Sequence, residues 1–391
     1  RILGDIMARQ NVGNPKFYID LPSYFMATGG GVSSADDIRK IFGINPSEAY
    51  IEEHEIGADA WAYFDFLLHY YYRGVNDSNV KYFLGVLGHN FETEGITNVG
   101  VEYWNNNTHD YDSDDMVFNM EDNWNEICNF PTAGSTFGFN GWSLAEWTTT
   151  GWNYDHTMLR FKLRTPWASE TKTVMLGSML FGYAFQMPHS PDLKLTMTRE
   201  YDGVKEQTTR GGSTLTQINY ASPPLWLGQH AWGLTEGNAE TYYNDNHDLL
   251  TQYPRRGRKT WDLKFSYIGS DNLFPLNERR DYNNPTDSNT NELGGYDIIE
   301  NGASDDFFTG ANTTGYNRYG NFQDNYDTDW SFMNVVMEKT IGGALPFIFQ
   351  PDGNNNSPDQ FAICKLDQSS FKFKQVAHNV WDISLKIREV W

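Results

Sequence analysis

The run Asp110-Tyr111-Asp112-Ser113-Asp114-Asp115, closing at Glu121, spaces its oxygen atoms as a calcium loop does. Carboxylates fall at the first, third, fifth and twelfth positions and aliphatic Val117 at the eighth. Asp115 stands where such a loop needs the glycine of its sharp turn, and no helical pattern flanks the run. The reading is an acidic, solvated loop, and no metal ligand is assigned. Trp142, Trp147 and Trp152 recur every five residues among small polar ones. Exposed indoles stack on sugar rings, but a tryptophan in a sandwich more often fills the core, so glycan contact is the minor reading.

Other chemistry-bearing patterns break at an essential position. His54-Glu55 lacks the second histidine of a zinc helix. Gly134-Ser135-Thr136-Phe137-Gly138 puts threonine where a nucleophile elbow needs serine. Gly257-Arg258-Lys259-Thr260 lacks the Gly-Lys step of a phosphate loop, and Lys259 opens a strong strand pattern. With 51 Asp and Glu, close carboxylate pairs arise by chance, and none stands out as a glycosidase couple. The nine histidines show no metal-ligand spacing. No catalytic, cofactor-binding or metal-binding residue is assigned, no cofactor is expected, and the chain reads as a non-enzyme.

The elements around these residues are mostly strands. Ser34, Asp36 and Asp37 ahead of Ile38, Ile41, Phe42 and Gly43 spell a short capped helix. Trp61, Phe64, Leu67, Leu68, Tyr71 and Tyr72, with Gly74 behind, spell a second helix over about 59–73. Beyond it, Leu159, Phe161 and Leu163 alternate with basic residues, and Leu193, Leu195 and Met197 alternate with Lys194, Thr196 and Thr198, as half-buried strands do. The apolar run Met175–Gly182 suits a strand buried on both faces. In Lys259–Ile268, Trp261, Leu263, Phe265 and Tyr267 share one face. Asp329 can cap a helix carrying Trp330, Met333, Val336 and Met337, closed by Gly342-Gly343. Phe361–Leu366 and Phe371–Val376 read as a hairpin. Trp381, Ile383, Leu385 and Ile387 form a last one-sided strand, docked in a sheet.

The expected fold is therefore mainly β. A jelly-roll-like β-sandwich over 75–205 is inserted into a second β-rich domain with a few short helices, made of 1–74 with 206–391. Residues 281–329, dense in Asn, Asp, Gly and Thr, read as a surface insertion too poor in apolar side chains to order alone.

The 391 residues are 39% hydrophobic and 16% aromatic, enough for real cores, and carry a formal charge of −22. Residues 1–158 hold 23 acidic against 7 basic side chains, and 159–290 hold 14 against 15. So acidic a surface repels a phosphate backbone, which argues against nucleic acid as a partner. No stretch approaches the roughly 18–20 apolar residues that span a bilayer, and no basic, apolar leader opens the chain. Cys128 and Cys364 stand far apart, which fits reduced, buried thiols in a cytoplasm rather than a disulfide scaffold.

Several segments resemble a recurring module of marine bacteriophage virion proteins. They are Met187–Leu193 (MPHSPDL), Tyr201–Lys205, Thr209–Ser213 and Gly257–Tyr267. The runs Leu345–Asp352, Pro358–Cys364 and Ile387–Trp391 are similar to the C-terminus of the same proteins. The resemblance implies a structural virion protein and no catalytic residues. Its expected place is the phage tail, as a tail-tip, baseplate-hub or distal-tail-like subunit assembled in the host cytoplasm. The expected partners are copies of itself in a ring and other tail or baseplate proteins. A receptor- or glycan-binding module on the tail is the alternative, with host-surface glycan as partner, and a tail-associated glycosidase is a weaker one.

Overall fold

Nine residues, Ser178–Gln186, run SMLFGYAFQ, and all but the last are buried. A strand with apolar side chains on both faces must lie inside a sheet that is covered on both sides. In the computed structural model it does, with a break at Gly177, whose N–H donates to the Leu87 carbonyl and separates it from the preceding strand. The structure describes residues 13–28, 42, 50–56, 62–67, 80–91, 94–96, 98–104, 124–131, 142–148, 158–165, 169–193, 195–201, 204–218, 257–275, 330–356 and 360–390.

The strands in chain order are β1 (Lys16–Asp20), β2 (Tyr50–Ile56), β3 (Ala62–Leu67), β4 (Lys81–Leu87), β5 (Asn98–Trp104) and β6 (Trp124–Pro131). Next come β7 (Trp142–Thr148), β8 (Met158–Arg164), β9 (Glu170–Leu176), β10 (Ser178–Gln186), β11 (Thr196–Glu200) and β12 (Val204–Thr208). The last are β13 (Thr214–Ile218), β14 (Arg258–Gly269), β15 (Phe347–Gln350), β16 (Ala362–Leu366), β17 (Phe373–Ala377) and β18 (Val380–Glu389). A ten-stranded sheet runs β11-β14-β18-β16-β15-β1-β10-β4-β7, with β17 also on β18. A four-stranded sheet runs β3-β8-β5-β6, and β2-β9 and β12-β13 are ribbons of two. The class is mainly β, as expected.

One core joins the two larger sheets. Phe17, Ile19, Leu84, Phe181 and Tyr183 of the large sheet share a cluster with Val99, Phe161 and Leu163 of the smaller one. The same cluster takes in Phe332, Val335 and Val336, and Phe332 stands edge-on to Phe17 with ring centroids 5.9 Å apart. The helix expected after Asp329 is present as a π-helix, Met333–Glu338, closed at Gly342 and Gly343, both at positive φ. Across the large sheet, Tyr18, Phe83, Leu180, Ala184, Ile348 and Ile363 form a second cluster. That face is concave. Gly85 on β4 lies so near Ile348 of β15 that a Cβ there would sit 3.7 Å from Ile348 Cδ1, although β1 and β10 run between the two strands.

Long-range pairing departs from several sequence expectations. The segment expected as a helix over 59–73 contains β3, paired with β8 in the register Phe64↔Phe161 and Phe66↔Leu159. The expected module boundaries at 75 and 205 run through one sheet: β10 pairs β1, and β11 pairs β14. The ladders that carry the large sheet are long-range, so chain order could not mark its limits. β16 and β17 are not a hairpin. Both lie on β18, because Asp367 N–H donates to Lys386 O and Gln368 bonds both Ser384 O and Lys386 N–H, tying their connection down. The pattern in β14 and β18 holds from Trp261↔Ile387 to Phe265↔Ile383. A bulge then turns Tyr267 out at φ 63, leaving it 75% exposed rather than in the apolar row. The short helix expected over 34–43 and the 281–329 insertion lie outside the described residues, apart from Phe42, which bridges Met179.

Candidate interaction site

Asp110–Glu121 and Trp152 lie outside the described residues. Among the described residues no three His, Cys, Asp or Glu side chains are grouped to hold a metal ion. His54 and Glu55 belong to β2, and Lys259 opens the β14 ladder. Trp142 begins β7. Trp147, on the same strand, is partly buried against the core, its ring 6.2 Å from Tyr82 and 6.1 Å from Phe181.

The fold assembles two polar groupings that the sequence did not reveal. Ser143 Oγ lies 2.7 Å from His89 Nε2, both residues buried. The Phe91 N–H donates to His89 Nδ1 at 3.3 Å, which leaves the ring proton on Nε2, facing the serine. In that tautomer histidine donates to the serine oxygen and cannot take its proton, so the pair braces β4 against β7 rather than making a nucleophile. Partners 54 positions apart in sequence carry no local signal.

The second grouping ties β1, β7 and β15 together. Lys16 Nζ donates to both Glu146 oxygens, and Tyr18 Oη lies 2.5 Å from Glu146 Oε1 and 2.7 Å from Gln350 Oε1. Gln350 Nε2 in turn donates to Asn355 O and Asn356 Oδ1. Burial first, then the Glu146 charge, push the Tyr18 hydroxyl far above the ordinary phenol range. It stays protonated and donates to the charged acceptor, the stronger of its two. Nearby, Asp20 caps the helix α1 (Leu21–Ala27) through Ser23 N–H and Ser23 Oγ, and its other oxygen accepts from Phe181 N–H.

A different surface stands in the open. The row Leu193, Leu195 and Met197 was expected to be half-buried, yet the structure leaves it in the open. Leu193 is 91% exposed and Met197, on β11, 51%. The reason lies in the topology: β11 is the last strand of the large sheet, and no other described element covers its side chains. The β12–β13 ribbon follows at once. Every side chain from Lys205 to Gln217 is exposed, including Leu215 at 59%. Tyr201, just past the end of β11, is exposed as well. A two-stranded ribbon with no covered face is marginal in water, and open strand edges accept further strands. Such a surface can bind a protein chain.

The fold and this surface define a mainly β protein in which, among the described residues, the β11 edge is unpaired and the β12–β13 ribbon is exposed. No family model matches the chain, and no curated protein matches it. Among solved structures it has a likeness to the glycoside hydrolase domain of Endo-D from Streptococcus pneumoniae R6, at 12% identity and a TM-score of 0.22. The likeness covers 48% of this chain and 26% of that one, so the chain spans about a quarter of that protein. A likeness this slight carries no argument about activity.

Proposed function

We propose that the chain is a structural subunit of a bacteriophage virion, placed in the tail tip or baseplate, that works by contact between subunits rather than by catalysis. The observation that carries the reading is the β11 edge with its β12–β13 ribbon. Their apolar side chains Leu195, Met197 and Leu215 keep 41%, 51% and 59% of their surface in the open. Burying the remaining half of each in an assembly would contribute roughly 1 kcal/mol, which is how a partner surface gives an exposed ribbon its order. The phage resemblance of Met187–Leu193, Tyr201–Lys205 and Thr209–Ser213 falls on this same stretch. The packing of Trp147 against the core supports the core role weighed for it over glycan stacking.

Purified virions imaged with a labelled antibody raised against the chain test the reading. Label at the tail end is expected. Label over the capsid shell, or none on intact and disrupted particles alike, would remove it.

A further inference from the structure

We infer that the β12–β13 ribbon of one molecule pairs with the open edge of β11 in a second copy of this chain. The inference rests on the assembly reading above and names its partner and register.

In this structure β11 pairs with β14 and β12 with β13, and no ladder joins β11 to β12 among the described residues. Among the described residues, both strands therefore keep one edge with no strand beside it, the condition for adding a strand from outside. Side chains alternate along a strand, so Lys205 and Glu206 point to opposite faces and cannot neutralise each other. Their partners across the ribbon, Gln217 and Thr216, carry no charge. Among the described residues, no ion pair is formed by Lys205, Glu206 or Arg210.

The β11 sequence supplies the missing charges in the matching order. With β12 antiparallel to β11 and Lys205 opposite Glu200, Glu206 falls opposite Arg199, Gln207 opposite Thr198 and Thr208 opposite Met197. Both charged positions then meet an opposite charge, a favourable cross-strand arrangement. Glu200 keeps its existing contact with Arg388 Nη2 at 3.1 Å, which lies on the β18 side of the sheet.

The overall charge points to a second copy of the same chain. A chain at −22 repels its own copies over most of its surface. Residues 192–218 hold four acidic side chains (Asp192, Glu200, Asp202, Glu206) and four basic ones (Lys194, Arg199, Lys205, Arg210), a net of zero. This stretch, within the charge-balanced 159–290, is one where two such molecules can meet without that repulsion. Because ribbon and edge are different surfaces, the contact is head-to-tail and builds a ring or an open chain, unless two molecules exchange ribbons with each other.

Charge exchange between molecules tests the pairing, read as mass in solution of the full chain. Glu206→Lys places like charges against Arg199 of the neighbour, and Arg199→Glu places like charges against Glu206. Each alone should weaken association about tenfold or more. Mixing the two single variants restores it, because each ribbon then meets an edge of opposite charge. A multimer whose mass neither single change alters would overturn the ribbon-and-edge pairing and leave the assembly reading standing. Rescue by the double variant but not by the mixture would assign the pairing to one molecule and overturn exchange between copies. A wild-type chain of monomer mass at every concentration would overturn it as well, while the virion imaging judges the assembly reading separately.

Discussion

Lys16 on β1 holds both carboxylate oxygens of Glu146 on β7, at 2.7 and 2.9 Å, although β10 and β4 run between their strands. Two side chains bridge that gap because the sheet is curled over Gly85, Gly182 and Ala184, and Tyr18 lies in the same hollow. The contact is a measure of curvature. Glu146→Leu strips an acceptor from Lys16 and Tyr18 together and should cost about 2–3 kcal/mol, short of a fully buried pair because both side chains keep some exposure. Lys16→Met in the Glu146→Leu background should add little. Denaturant melts of the four proteins check this, and additive losses would show that the three groups do not act as a unit.

Gly182 sits where β1 turns into α1. A Cβ at Gly182 would lie 2.0 Å from the Ile19 carbonyl oxygen and 3.1 Å from Leu21 N, both of them backbone atoms. Gly182→Ala should therefore lower stability by about 3 kcal/mol or leave the protein insoluble. Gly211, whose Cβ would meet nothing within 4 Å, is the control. Gly211→Ala should change the melt by no more than about 0.5 kcal/mol.

Asp20 predicts a pH dependence. Burial raises its carboxyl from 3.8 to about 6, against hydrogen bonds from Ser23 and Phe181 that pull it down. Between those values the folded chain holds a proton that the unfolded chain has released, so stability falls as pH rises. The contribution is whole below pH 3.8 and is lost as pH passes 6, a change of roughly 3 kcal/mol for a shift of this size. The stability of wild type relative to Asp20→Asn, followed from pH 4 to 7, should decline by that order. A flat difference would contradict the assignment.

Leu385 is buried in the middle of β18, opposite Leu263. Leu385→Asp puts a carboxylate into that row at a cost of several kcal/mol, a large part of the roughly 5–15 that hold a domain folded. Insoluble protein, or a melt lowered by well over 10 °C, is the expected outcome. A soluble variant melting like wild type would contradict the docking of this strand.

The sequence disclosed the strands whose own residues alternate. β14 and β18 are apolar on one side over several turns of the pleat, and their ladder follows that row residue by residue. It misled where a partner distant in the chain decides. Trp61, Phe64, Leu67 and Leu68 satisfy a helical period, yet pairing with β8 draws 62–67 into a strand. Local periodicity loses when a ladder and a shared core outweigh it. The row Leu193, Leu195 and Met197 misled in the opposite sense, because alternation marks an apolar side but not whether anything covers it. His89–Ser143 and Lys16–Glu146 were illegible because sheet order alone brings them together. The ribbon's exposure was equally hidden, since VKEQT and TLTQI look like any pair of strands until the sheets are assembled around them.

Removing residues 204–218 and joining the flanks with a short glycine-serine link separates a ribbon that serves assembly from one that serves the fold. Mass in solution and the thermal melt are measured together against the full chain. A monomer in place of a multimer is expected, with a melting temperature within about a degree or two of the full chain. A melt that falls by many degrees, or a multimer that survives the deletion, would contradict it.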